Sequence, residues 1–297
     1  MSNVHRLSST GVLTAKRRKP QTSEALLIGG LDYNYLNEEE FPISKSLSQP
    51  FPISGKESIS TLFFRPLPGS RKEVDSIAPF ITHATTKYYE SEEQLKHQFA
   101  AFDLVHFSTH GYSLEVAVPS PNEITGDSIT ADLTLHNAGF ALSGANITHY
   151  FPHREDGLLT ACELSELDLR SVRYVVACAC QTAQGTIQDE GAAGVLRGLK
   201  MAGAGTVLAT LWPVDDNAST RFMQTFYRTW NNGRGTDGKG CSMTQALLAA
   251  QQQLRIPYTL PANTNNSVQA KVKNQKAQTV NHSAPYFWAP FILIDDL

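Results

Sequence analysis

Residues 103–113 read DLVHFSTHGYS, an apolar strand that ends abruptly in a polar, glycine-containing segment. Residues 174–185, YVVACACQTAQG, repeat this design later in the chain. Strands that are apolar along most of their length are typical of parallel sheets whose two faces are both covered by helices. The two stretches therefore predict strands of a buried parallel sheet, each with polar side chains at its carboxyl end.

The rest of the chain alternates short apolar runs with amphipathic stretches in the same way. Further strands are predicted at residues 25–29 (ALLIG), 86–89, 206–211 (TVLATL) and 287–294, where Pro290 indicates an edge position. Helices are predicted at 70–80, 91–100, 158–167, 190–201, 217–230 and 243–254. This alternation predicts an α/β fold with three layers, in which a mostly parallel central sheet carries helices on both faces.

Two of the predicted helices begin with capping-box spacing. Ser70 is followed by Glu73, and Ser91 by Gln94, so each serine stands three residues before a side chain that can reach back to its amide. The region 112–155 is rich in turn residues and carries short alternating runs, which indicate a long loop with an accessory strand edge.

The domain organisation is expected to be simple. Residues 1–22 are polar and basic and are interpreted as a disordered or loosely packed lead-in. Residues 23–297 are predicted to form one globular domain, whose polar segment at about 262–283 is interpreted as a mobile loop.

Composition excludes several classes of function. The chain has 297 residues with a formal net charge of −3, which argues against a large basic surface for nucleic acid. Its apolar runs are all shorter than the roughly 18 residues of a membrane span, and the N-terminus lacks the apolar region of a secretory signal. We therefore expect neither membrane insertion nor direct nucleic-acid binding.

The cysteines point to a reducing compartment. Cys162, Cys178, Cys180 and Cys241 have neither the spacing of a zinc site nor that of a disulfide framework. A cytoplasmic protein without a metal or another cofactor is the expectation. Phosphate binding has little support either, because no glycine-rich nucleotide loop follows the first strand.

His110 and Cys180 are the candidate catalytic pair. Each follows the end of a predicted strand, and the carboxyl ends of parallel strands are where active sites collect. A thiol with a pKa of about 8.5 needs a nearby base to become a nucleophile at neutral pH, and an imidazole supplies one. The backbone amides of Gly111 and of Cys180 itself are candidate donors to an oxyanion.

For the neighbouring residues, structural roles are favoured over catalytic ones. Cys178 lies inside the apolar run, and we interpret it as a core residue. By strand alternation His106 shares a face with His110, and a structural or supporting role is favoured for it. Cys180 differs because the polar residues Gln181 and Thr182 follow at once.

The order of motifs resembles the CHAT family of caspase-like cysteine peptidases, relatives of separase. The resemblance runs from about residue 26 to residue 293 and is carried, in order, by PLPGSRKEVDSI (66–77), HFSTHG (106–111), DGLLTACEL (156–164), VVACACQTAQG (175–185), EGAAGVLRGLKMAGAGTVLATLWPVDD (190–216), ALLAAQQQL (246–254) and FWAPFIL (287–293). It implies a caspase-like fold and a cysteine endopeptidase, with the catalytic histidine at His110 and the nucleophile at Cys180. One departure is Cys178, where the family commonly has serine.

Three aspartates are candidates for binding substrate. The resemblance to separase, which cleaves after arginine, implies Asp216 as the pocket acid. Asp215 beside it fits either the pocket or the N-cap of the helix that follows. Asp32 follows the first strand, although ordinary turn chemistry is the favoured interpretation there. Cleavage after Arg or Lys is the resulting hypothesis.

The partners expected from the resemblance are a protein substrate and, as a possibility kept open, an activating partner protein. A role in bacterial defence or cell death is implied in the same way. Two other readings remain open at this point: a catalytically silent pseudoprotease that binds proteins, and a small-molecule acyl transferase or hydrolase that uses the same dyad.

Overall fold

The central sheet has six strands and is parallel except at one edge. This computed structural model describes residues 24–34, 62–114, 135–147, 155–178, 190–232, 241–259 and 279–294. The strands of the central sheet are β1 (Ala25–Gly29), β2 (Ala84–Lys87), β3 (Leu104–Ser108), β7 (Tyr174–Cys178), β8 (Thr206–Thr210) and β11 (Phe291–Ile294). Their order across the sheet is β11-β8-β7-β3-β1-β2, and only β11 runs antiparallel to its neighbour.

Helices cover both faces of this sheet, so the predicted three-layer α/β architecture is confirmed. Because side chains alternate along a strand, Val105 and Phe107 pack on one face while Leu104 packs on the other. The first face is covered by α2 (Glu92–Gln98), α3 (Ala161–Glu166) and α4 (Glu190–Met201). The second is covered by α1 (Pro68–Ile77), α5 (Asp216–Asn232) and α6 (Met243–Leu254).

The first helix begins earlier than its sequence predicts. Pro68 occupies the first turn of α1, where a missing N–H costs nothing, and the helix runs to Ile77 before a 3₁₀ turn at Ala78–Phe80. Ser70 therefore lies inside the helix and does not cap it. Its hydroxyl instead accepts from the N–H of Gly30 at 2.8 Å and donates to the carbonyl of Leu67 at 2.8 Å, which ties α1 to the end of β1.

The capping box predicted at the second helix is confirmed. Ser91 accepts from the N–H of Gln94, and the Gln94 side chain accepts from the N–H of Ser91. The same arrangement occurs at Thr160 with Glu163, which begins α3. There the structure differs from the prediction of a helix at 158–167, because Leu158–Thr160 form strand β6 before the cap.

The accessory edge is a separate antiparallel sheet of three strands. Strand β4 (Gly111–Ser113) follows β3 almost at once and pairs with β5 (Ala138–Ala141), which pairs with β6. The predicted strand-loop insertion is thus present, but its first strand begins at Gly111, directly after His110.

The chain ends in a hairpin, a short helix and the antiparallel edge strand. Strands β9 (Tyr258–Thr259) and β10 (Thr279–Val280) pair, and α7 (Pro285–Trp288) precedes β11. The predicted strand at 287–294 therefore starts only at Phe291, after Pro290, although its edge position is as expected. Within the described part of the chain, no helix has both the length and the apolar character needed to cross a membrane.

Candidate active site

A cleft opens where the carboxyl ends of β3, β7 and β8 meet the first turns of α1 and α5. Its cavity volume is about 40 Å³, and its lining includes the candidate base His110 and acidic side chains. The described residues that line it and bear on chemistry are Gly69, Glu73, Ser108, His110, Cys178, Thr210, Asp216 and Ser219. The location agrees with the expectation for parallel sheets.

His110 is held in one tautomer by a backbone carbonyl. The imidazole is buried, with 6% of the residue exposed, and its Nε2 lies 2.8 Å from the carbonyl oxygen of Arg65. Because a carbonyl only accepts, Nε2 carries the hydrogen, and Nδ1 is the basic atom of the neutral ring. Burial lowers the pKa of His110, while the Arg65 carbonyl and the charge of Asp216 act in the opposite direction.

The backbone at His110 is fixed by a short chain of hydroxyl contacts. Thr109 donates its hydroxyl hydrogen to the carbonyl of Ala141 at 2.6 Å, so the Tyr33 hydroxyl, 2.9 Å away, donates to Thr109. Tyr33 in turn accepts from the N–H of His110 at 3.4 Å, and its ring packs 5.1 Å from the imidazole. The backbone of His110 is therefore held by hydrogen bonds that involve Tyr33, Thr109 and Ala141.

The strand that leads to Cys180 is the direct neighbour of the strand that leads to His110. Ser108 and Cys178 are register partners at the ends of β3 and β7, in strands about 4.8 Å apart. In the sequence, His110 follows Ser108 by two positions, and Cys180 follows Cys178 by two positions. Cys180 itself lies outside the described residues, as does the whole segment 179–189.

Cys178 differs from the prediction that it is a core residue. It is half-buried and packs partly against the core on the α1 and α5 side, yet it also lines the cleft. The reason is its place at the last position of β7, where the sheet ends and the cleft begins.

The amide of Gly111 points away from the accessory sheet. The N–H of Ala141 donates to the carbonyl of His110 at 2.8 Å, and bonded and non-bonded pairs alternate along an antiparallel ladder. Gly111 opposite Phe140 is therefore a non-bonded pair, and its N–H is not used by β5. This geometry is compatible with the predicted donor role.

The two neighbouring aspartates have different surroundings. Asp215 Oδ1 accepts from the N–H groups of Asn217 and Ala218, at 3.0 Å each, and thus caps α5. Asp216 instead lines the cleft, where its carboxylate accepts from the N–H of Gly69. A Cβ at position 69 would clash with that carboxylate, so the approach requires glycine.

Asp216 is solvent-exposed, yet neighbouring groups change the pKa of its carboxyl. Partial desolvation, then the charges of Asp215 and Glu73, raise the pKa of its carboxyl, whereas the charge of His110 and the Gly69 hydrogen bond act to lower it. The interaction with His110 places a carboxylate and the candidate base in the same cleft.

Asp32 has the turn role that the sequence favoured. It is exposed, and its Oδ1 accepts from the N–H of Asn34 at 2.9 Å. It is absent from the residues that line the cleft in the described part of the chain.

Sequence reasoning missed Glu73 as a cleft residue. Its Oε1 lies 3.1 Å from Nε2 of His106, and its Oε2 accepts from the Ser219 hydroxyl at 2.6 Å. His106 is fully buried, and its Nδ1 lies 3.0 Å from the hydroxyl of Tyr227. The supporting role favoured for His106 agrees with this network. The spacing between Ser70 and Glu73 gave a misleading signal, because it matched a capping box.

One acidic cluster away from the cleft has the arrangement of a cation site, and a lysine occupies it. Glu92, Glu155 and Glu163 point their carboxylates at one spot. The ammonium of Lys96 lies 2.6, 3.1 and 2.9 Å from them, respectively. Burial raises the pKa of Glu92 to about 8; although burial acts on Glu163 in the same direction, hydrogen bonds from Lys96 and Thr160 lower its pKa.

Comparisons with known proteins agree with the motif order. The family model described as "CHAT domain" matches residues 1–296. Tetratricopeptide repeat protein 28 of Mus musculus is 30% identical over 184 residues, and that of Homo sapiens is 27% identical over 184 residues. Each alignment covers 57% of this chain and only 7% of the relative.

A solved structure also resembles this one. It is the Arg-specific cysteine proteinase gingipain R, with a TM-score of 0.41 and 9% sequence identity. The likeness covers 82% of this chain and 46% of that one.

Proposed function

This chain belongs to the CHAT-domain family, the caspase-like cysteine peptidase family that its motifs resemble, and we propose that it is an endopeptidase with His110 as base and Cys180 as nucleophile. One observation carries the proposal. His110, oriented by the Arg65 carbonyl, follows β3 at the cleft, and the neighbouring strand β7 ends two residues before Cys180.

The chemistry follows from the tautomer of His110. Nδ1 takes the proton of the Cys180 thiol, and the thiolate sulfur bonds to the carbonyl carbon of the substrate while the C=O electron pair moves to oxygen. The amides of Gly111 and Cys180 donate to this oxyanion. Collapse of the intermediate breaks the C–N bond, and the amine leaves with the proton from His110. Water then hydrolyses the thioester with His110 again as base.

The substrate preference follows from the acid in the cleft. Asp216 is aimed into the cleft by the Gly69 N–H, while Asp215 is engaged in capping the helix. A carboxylate in this position favours a guanidinium or ammonium group. We therefore propose cleavage after Arg or Lys, with Asp216 as the principal pocket acid.

The test is hydrolysis of fluorogenic peptides that carry Arg, Lys or Asp before the scissile bond. Wild type is expected to cleave after Arg and Lys, Cys180→Ala to be inactive, and Cys178→Ala to retain activity. The matched cysteine variants separate the nucleophile from its neighbour in the cleft. Activity that survives Cys180→Ala would refute the assignment.

The wider role is proposed on the family resemblance. The natural substrate is a protein cleaved in a reducing cytoplasm, in a defence or cell-death pathway, and an activating partner protein controls the cleavage. Absence of hydrolysis for every peptide, with partner capture intact in Cys180→Ala, would instead identify a binding module without catalysis.

A further inference from the structure

The cleft holds a second carboxylate besides Asp216. Glu73 lies one helical turn after Gly69 on α1, so both residues present to the same side of the helix. Glu73 lines the cleft although only 2% of the residue is exposed. A carboxylate this buried is uncommon and needs partners that explain it.

The partners of Glu73 fix its position from two elements. Ser219 of α5 donates to Oε2 at 2.6 Å, and His106 of β3 lies 3.1 Å from Oε1. Ser219 stands one turn after Asp216, so the same helix supports both acids. The carboxylate is therefore held rigidly at the cleft floor.

The contacts of Glu73 with Ser219 and His106 are hydrogen bonds that require no second charge. A neutral His106 satisfies both of its contacts, because Nε2–H donates to Glu73 while Nδ1 accepts from the Tyr227 hydroxyl. Within the described residues, neither lysine nor arginine forms an ion pair with Glu73. Its charge is also among the causes that raise the pKa of Asp216, so the two carboxyl groups act on each other.

Burial makes the charge of Glu73 effective over distance. The interaction of two charges scales inversely with the effective dielectric constant, which is about 80 in water and about 20 near a protein site, a difference of about fourfold at equal separation. Exposed Asp216 is screened by water and salt, whereas buried Glu73 is screened less. A cation that enters the cleft is therefore attracted by the carboxylates of both Asp216 and Glu73.

We propose that Glu73 is a second specificity residue of the cleft, whose buried carboxylate, together with Asp216, selects a positively charged substrate side chain. The proposal rests on the substrate pocket of the proposed function and extends it: charge selectivity comes from two acids, one exposed and one buried. His106 and Ser219 act as positioning residues for the buried acid.

The experiment measures peptide binding and therefore does not depend on catalytic turnover. Acetylated peptide amides that end in arginine or in citrulline, its neutral isostere, are titrated into the Cys180→Ala protein by calorimetry. The parent is expected to prefer arginine at least about thirtyfold, and Glu73→Gln to reduce that preference about tenfold, a change of about 1.4 kcal/mol. Asp75→Asn removes a charge from an exposed position on the same helix and is expected to leave the preference unchanged.

A second variant keeps the proposal testable if Glu73→Gln does not fold. Asp216→Asn changes an exposed side chain, and its residual preference for arginine, at least about threefold, is expected to come from Glu73. A preference that vanishes in Asp216→Asn, that is unchanged in Glu73→Gln, or that is lacking in the parent would overturn the inference. Preference without any hydrolysis in the wild type would leave it standing and refute only the proposed peptidase activity.

Discussion

Ser108 and Cys178 are register partners at the ends of the parallel strands β3 and β7. Two sequence motifs that are far apart in the chain thus end at the same edge of the sheet. His110 and Cys180 each follow this pair by two residues, and the cleft begins at the pair itself. The register of the sheet therefore brings the strand end before His110 beside the strand end that leads to Cys180.

The pH dependence of activity is expected to reflect the burial of His110. Burial lowers its pKa below the ordinary value of 6.5, so the ring is neutral, and able to accept a proton, at any pH above that value. We expect kcat/KM for an Arg peptide to fall on the acid side with a midpoint below 6.5. An acid midpoint above 7 would be inconsistent with this base.

The same profile tests the charge interaction between Asp216 and His110. The charge of Asp216 raises the pKa of His110, so removal of that charge is expected to lower the pKa of His110 further. In Asp216→Asn the acid midpoint should therefore move to lower pH, measured on the residual activity. A shift to higher pH would contradict the electrostatic coupling.

Gly69→Ala is expected to damage the substrate pocket through a steric contact. A Cβ at this position meets the carboxylate of Asp216, which must then move from the cleft. We expect kcat/KM for Arg peptides to fall at least about tenfold, equivalent to about 1.4 kcal/mol.

A double-mutant cycle supplies the control for this prediction. In an Asp216→Gly background both the carboxylate and the Cβ that the added methyl group would meet are removed, so Gly69→Ala should then cost less than about twofold. Equal losses in both backgrounds would show that Gly69 acts on folding or on the backbone and not through Asp216.

Lys96→Met is expected to destabilise the fold without touching the cleft. At pH 8.5 it leaves the ionised carboxylate of Glu92 buried without its cation, at a cost of about 3 kcal/mol, the low end of the range for a buried pair because Lys96 is 19% exposed. Lys72→Met, a change of the same chemistry at an exposed helical position, should cost less than about 0.5 kcal/mol. Urea unfolding of both variants provides the measurement.

The cost of Lys96→Met should also depend on pH. Burial raises the pKa of Glu92 from 4.5 to about 8, so proton binding stabilises the folded state as pH falls from about 8 toward 4.5. In the variant, protonation relieves the unpaired charge. The loss of unfolding free energy is therefore expected to be smaller at pH 5.5 than at pH 8.5, and a larger loss at the lower pH would contradict the assignment.

Sequence periodicity predicted most of the sheet and its helical layers. The strand Ala25–Gly29 and the helix Met243–Leu254 were predicted with their observed bounds, because strong apolar patterns and clear caps agree there. The sequence placed the ends of β3 and β7 at one edge of a parallel sheet, but their direct pairing comes from the structure.

The sequence could not predict contacts between residues of different helices and strands. Glu73 matched a local capping box with Ser70, yet Pro68 began the helix earlier and turned Glu73 toward β3 and α5. The different roles of Asp215 and Asp216 were likewise open in sequence, since they depend on where α5 begins and on the approach of Gly69. Such roles are set by packing and not by spacing along the chain.

Covalent labelling by a peptidyl acyloxymethyl ketone with arginine at the reactive position tests directly whether Cys180 is the nucleophile. The chain has four cysteines, so intact mass and peptide mapping can assign the adduct. If His110 and Cys180 form the catalytic pair, a single adduct is expected on Cys180. It should be lost in His110→Ala and form far more slowly with an aspartate probe. An adduct on Cys162, Cys178 or Cys241 in place of Cys180, or equal labelling by both probes, would contradict this assignment.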